Sequence, residues 1–162
     1  MQEPTKPTLH QEHQWLARLE GDWSYEHDAA EPGQPPRMIG GVERVRSLGG
    51  GWTILEAERE PTGEHGRSMM TLGYDPARGR VVGTFVADML QHLWVYDGAF
   101  DPSGRTITLD TEGPRFDGGE GMARYQDVVE LVSDDERTLR SRVLGADGEW
   151  REFMIVRYRR RS

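Results

Sequence analysis

The side chains able to do chemistry in this chain are few, and their spacing tests each reading. Five histidines, at 10, 13, 27, 65 and 92, are the only groups whose ordinary titration lies near neutrality. There is no cysteine, which excludes disulfides, thiolate metal sites, iron–sulfur clusters and cysteine nucleophiles. His10 and His13 stand three apart and could share one helix face as two metal ligands. Zinc requires a third ligand, and no His-Glu-x-x-His pattern is present, so a solvated helix face is expected there and no metal. Asp88 and His92 flank one turn and could form a hydrolytic dyad, with Ser68 or Thr84 as nucleophile. Strand parity puts Asp88 on the face opposite His92, and no Gly-x-Ser-x-Gly elbow exists. Glu56, Glu58 and Glu130 could pair as acid and base, but each alternates with apolar residues and reads as solvent-facing. Residues 113–121 are glycine-rich, yet lack the Walker lysine and any following helix to receive a phosphate. They read as a mobile hairpin loop.

Residues 80–99 carry the most informative pattern. A tight turn near Met89-Leu90 sets Ala87 opposite His92, Phe85 opposite Trp94 and Gly83 opposite Tyr96. One face then holds Phe85, His92, Trp94 and Tyr96; the other holds Val82, Thr84, Val86, Leu93 and Val95. Turned inward, the aromatic face lines a pocket for a small apolar or aromatic ligand, with His92 as its polar handle. The alternative is a packed core with His92 bonded to a backbone group. An enzyme would use His92 as general acid/base in the same cavity and would need a second polar group beside it. A filled interior would make the protein a structural or self-association module. Whichever aromatic or aliphatic face is inside, the other is apolar and outward, which implies a homodimer. Haem would need an axial histidine; the segment 149–159 has none, leaving His92 alone, and no cofactor is expected.

These residues need elements to position them. A chain of 162 residues is one domain long. Its 20 glycines and 9 prolines suit many short strands better than a helical bundle. Residues 1–8 form a flexible segment, and 9–162 a single domain. Thr8 and Gln11 fit a capping box, with a helix over 9–20 and Gly21 as its C-cap. From Trp23 the apolar period becomes two. Strands are predicted at 22–28, 38–48, 52–60, 67–74, 80–87, 91–99, 105–111, 121–132, 137–144 and 149–159. Asp-Pro turns with a following glycine recur after Tyr74 and after Phe100. About ten sequential antiparallel strands predict an all-β up-and-down barrel, with a two-sheet sandwich as the alternative. In the barrel, the loop 113–121 could serve as a lid over the mouth. A net charge of −8 repels phosphate backbones, so no nucleic-acid partner is expected. Every basic residue but Lys6 is arginine, a bias of genomic composition as in GC-rich bacteria. No apolar h-region and no membrane-spanning apolar run is present, so a cytoplasmic protein without a membrane partner is expected.

Several pieces in order resemble a bacterial domain-of-unknown-function family of the calycin-like, or lipocalin-like, barrels. They are His13-Gln14-Trp15-Leu16 with Gly21-Asp22-Trp23, Arg46-Ser47-Leu48-Gly49-Gly50, residues 70–76, residues 82–86, residues 92–98 and Tyr158-Arg159-Arg160. The resemblance implies the calycin-like barrel and carries no activity. It also implies a closure: a Gly-x-Trp on the first strand with an arginine of the last strand across the indole. Trp23 takes the first role. Arg160 is the first choice for the second, and Arg157 the next.

Overall fold

A computed structural model describes residues 7–28, 35, 37–60 and 66–161. Its elements are one helix, α1 (Gln11–Ala17), and ten strands. The strands are β1 (Gly21–Asp28), β2 (Met38–Leu48), β3 (Trp52–Glu60), β4 (Arg67–Asp75) and β5 (Arg80–Ala87). They continue as β6 (Trp94–Phe100), β7 (Thr106–Pro114), β8 (Met122–Leu131), β9 (Glu136–Leu144) and β10 (Trp150–Arg160). Each pairs antiparallel with its neighbours in sequence, and β1 pairs with β10, with Trp23 opposite Arg160 and His27 opposite Val156. The sheet is therefore a closed barrel, without the free edges of a sandwich. No helix among the described residues is long and apolar enough to cross a membrane.

Alternation fills the lower half of the barrel. On β7, Ile107 and Leu109 point inward and are fully buried, as are Leu72 on β4 and Val81 on β5. Helix α1 and the turn after it stopper this end with Leu16 and Leu19, both buried, and with Trp15, whose indole donates to the Gly104 carbonyl at 2.7 Å. The short turns at 49–51, 75–79, 101–105 and 132–135 surround it. The Asp-Pro turn after Tyr74 works as its residue types demand: Asp75 Oδ1 accepts the Ala77 N–H at 3.0 Å, and Gly79 supplies φ +65°.

Two local expectations need correction. The helix is shorter than 9–20, and its N-cap is His10 rather than Thr8. His13 Nδ1 accepts the His10 N–H at 2.9 Å, while Nε2 lies 3.0 Å from the Tyr74 carbonyl. Backbone groups thus occupy both ring nitrogens of this buried histidine. The helix ends at Arg18, and Gly21 opens β1 at φ +133° instead of capping the helix. The second correction concerns 91–93, which lie outside any strand. The β5–β6 ladder stops at Phe85 opposite Trp94. Asp88 instead turns toward β4, its carboxylate accepting the N–H groups of Gly66 and Arg67 at 2.9 and 3.1 Å. That capping contact draws the chain away from β6, so the connection widens to a loop over 88–93.

Candidate functional site

Above the packed half, the barrel encloses a cavity of about 500 Å³ that opens at the end opposite α1. Its walls are mostly apolar: Leu55, Met70, Phe85, Trp94, Leu139 and Val156 face it from six strands. The β7–β8 and β9–β10 ends contribute aromatic rings at the mouth. Phe116 packs 5.5 Å from Tyr125 and 6.2 Å from Phe153, and Tyr125 meets Trp94 edge-on at 5.2 Å. Phe116 and Phe153 remain about half exposed there. The Trp94 ring lies flat against Gly113, where any side chain would overlap it. The loop 115–121 therefore borders the opening, and Phe116 is the residue it contributes.

Of the four residues expected to line a pocket, Phe85, Trp94 and Tyr96 do, on the predicted register. His92 does not. It sits in the widened loop beside an outer groove with Leu93, Val95, Met122 and Arg124. Its Nε2 lies 3.0 Å from the Glu112 carbonyl, and its ring stands edge-on to Trp94 at 4.8 Å. Among the described residues, His27 is the histidine that lines the cavity, half-buried on the rim at the end of β1. His65 lies outside the described residues. The outward face of the hairpin shows Val86, Leu93 and Val95 exposed, while Thr84 is tied to Thr71 by a hydroxyl pair at 2.7 Å.

Two polar clusters inside the barrel were not expected. On β8 the inward positions run Tyr125, Asp127, Val129 and Leu131. The Tyr96 hydroxyl donates to Asp127 Oδ2 at 2.5 Å, and the Ser141 hydroxyl to Oδ1 at 2.6 Å. Burial pushes the Asp127 carboxyl above the usual carboxylate range, against the pull of these two donors. Burial also raises the Tyr96 phenol well above its ordinary value, and the neighbouring Asp127 charge adds to it. The second cluster lies at the cavity floor, where Glu43 and Arg137 form a buried ion pair. The Arg137 guanidinium stacks 3.7 Å from the Tyr158 ring centre and 4.7 Å from that of Trp23. Burial lowers its pKa, but a guanidinium stays charged in this setting.

Below the floor sits the closure. Trp23 is fully buried, and the Arg160 guanidinium lies 4.3 Å from its ring centre. Arg157 is exposed on the other face of β10 and opposes Glu26.

A closed ten-stranded antiparallel barrel, stoppered by one short helix and hollow at the other end, is a calycin-like barrel. Residues 8–160 match the model of the family described as protein of unknown function (DUF1579), and the chain belongs to that family. Among solved structures, it is similar to Rv2717c from M. tuberculosis, with 14% identity and a TM-score of 0.61 over 96% of this chain and 100% of that one. It is also similar to the S-type phycobiliprotein lyase CPES from Guillardia theta, with 11% identity and a TM-score of 0.52 over 92% of each chain. At these identities the likeness is one of fold. No curated protein sequence matches the chain.

Proposed function

We propose that this protein binds a small apolar or aromatic molecule in its central cavity. The observation that carries the reading is the cavity itself: about 500 Å³, walled by apolar and aromatic side chains and open at one end. This is within the size range of small-ligand pockets, and polar groups such as Tyr96, Asp127 and Ser141 are set among the apolar walls, as such pockets require. Apolar walls of this extent would otherwise face water at about 25 cal/mol per Å². The lyase of similar fold contributes the fold alone, so the ligand reading rests on this chain's own residues.

The filled-barrel alternative conflicts with that open volume. The enzyme alternative through His92 loses its geometry, because the histidine faces outward and is bonded to a backbone carbonyl. Cytoplasmic residence and a homodimer through Val86, Leu93 and Val95 remain parts of the proposal. Fractionation of host cells tests the first, and sedimentation at high protein concentration tests the second, where a strict monomer removes it.

The ligand reading is tested by native mass spectrometry of protein purified from its own host, together with uptake of the neutral fluorophore N-phenyl-1-naphthylamine. A bound small molecule or saturable fluorophore uptake is expected. Protein that is consistently empty and takes up no fluorophore would overturn it.

A further inference from the structure

Asp127 is a carboxyl group without an ion-pair partner among the described residues, set in a largely apolar cavity. It lines the cavity, and it accepts hydrogen bonds from two neutral hydroxyls, those of Tyr96 and Ser141. A carboxylate offers about four acceptor sites, so capacity remains on the cavity side. The nearby buried cation, Arg137, is already committed to Glu43 and to the faces of two aromatic rings. Among the described residues no arginine, lysine or histidine forms an ion pair with Asp127. An isolated carboxylate in an apolar interior is costly, and it persists most cheaply where something else brings the charge.

Resting on the cavity reading above, we infer that the ligand is an apolar or aromatic molecule carrying a protonated amine, whose ammonium group pairs with Asp127. The ammonium supplies the missing cation and donates into the free lone pairs of the carboxylate. Tyr96 and Ser141 hold that carboxylate in one orientation from two different strands. Phe85, Trp94 and Tyr125 present ring faces and edges around the same space, which suit an aromatic body and add cation–π attraction for its amine. The competing chemistry is an acid held by Arg59, which stands at the cavity lining with the opposite charge.

The test compares three near-isosteric probes, 4-phenylbutylamine, 4-phenylbutanol and 4-phenylbutyrate, by titration calorimetry at neutral pH on the full chain. A charge-assisted contact predicts the amine to bind roughly tenfold or more tighter than the alcohol. Asp127→Asn should abolish that preference while changing the affinity for the alcohol by less than roughly threefold. The wild-type ranking decides the matter even if the variant does not fold. An alcohol that binds as tightly as the amine, a preferred butyrate, or an amine preference that survives Asp127→Asn would overturn the assignment. If none of the three binds but the naphthylamine fluorophore is taken up, the amine assignment falls and the cavity reading stands. If the fluorophore is refused as well, both fall.

Discussion

Arg160 and Trp23 together complete the end of α1. The guanidinium stacks on the indole, and between them they donate to three successive carbonyls of the turn that leads from α1 into β1. Arg160 Nη2 donates to Arg18 at 2.8 Å, Trp23 Nε1 to Leu19 at 2.9 Å, and Arg160 Nη1 to Glu20. Arg160 Nε adds a bond to the Asp134 carbonyl at 2.8 Å. One cross-strand pair therefore ties the first strand, the last strand, the helix and the 132–135 turn into a single stopper. The positive charge also sits where the helix dipole is negative.

Trp23→Ala should remove a fully buried indole and the Leu19 hydrogen bond, at about 3–5 kcal/mol. Arg161→Ala is the control: its side chain is exposed, and the bond it makes to the Asp22 carbonyl is from its backbone N–H. That variant should stay within about 0.5 kcal/mol of wild type. Urea denaturation of the two variants checks both values, and equal midpoints would show that the stopper is not a stability element.

Gly21 is required twice over. Its φ of +133° is unfavourable for other residues, and a Cβ would come within 2.5 Å of Arg160 Nη1. Gly21→Ala should therefore cost about 1–3 kcal/mol by straining the backbone and displacing the guanidinium from the Arg18 and Glu20 carbonyls. In a double-mutant cycle with Arg160→Ala, the two losses should be less than additive. Strict additivity would mean that Gly21 serves the backbone alone.

Much of this arrangement is legible in the sequence, and the exceptions share a cause. The strands follow from period-two alternation and from turns whose residue types encode their geometry, so Phe85 opposite Trp94 could be read locally. His92 could not, because the Asp88 contact that widens its loop reaches back to Gly66 and Arg67. The interior charges were missed for a related reason. Parity places Asp127 with Tyr125 and Val129 on the inner face, but an acidic residue on a strand ordinarily argues for the outer one. Its partners lie 31 positions before it and 14 after it, and Glu43 and Arg137 are 94 apart. Asp127 and Ser141 are opposed on neighbouring strands, but the contacts to Tyr96 and between Glu43 and Arg137 join strands that are not neighbours and leave no local pattern. A charge at inward parity is the signal that could have found them.

The Glu43–Arg137 pair yields an expectation of its own. Breaking it from one side leaves a buried charge unpaired, so Glu43→Gln or Arg137→Met should each cost about 3–5 kcal/mol. The combination Glu43→Leu with Arg137→Met replaces both charges by apolar groups and should recover most of that loss. Chemical denaturation of the three variants measures the coupling. A double variant as unstable as the two single losses summed would show that the pair is independently held.

His92→Ala should leave cavity binding untouched, because the ring lies outside the barrel wall. Loss of its contact with the Glu112 carbonyl and of the edge-on packing against Trp94 should cost about 1–2 kcal/mol at most. Fluorophore titration of the variant checks this, and a large fall in uptake would return the histidine to the site.

Asp127 should leave its mark on stability as a function of pH in the empty protein. Its folded pKa is raised, chiefly by burial, so the fold prefers the protonated carboxyl. Below the unfolded carboxylate value near 3.9 both states hold the proton, and the group exerts no penalty. As pH rises through the folded pKa, the unfolded chain gives up its proton more readily and stability declines. Asp127→Asn keeps the shape, and can still accept from Tyr96 or Ser141, but cannot ionise. The variant should therefore be more stable than wild type at neutral pH, and the advantage should shrink as pH falls into the carboxylate range. Parallel urea titrations from pH 4 to pH 8 test the sign. A variant less stable at pH 7, with the gap closing toward acid, would mean that the ionised carboxylate is favoured by the fold and has a cation partner in the empty barrel.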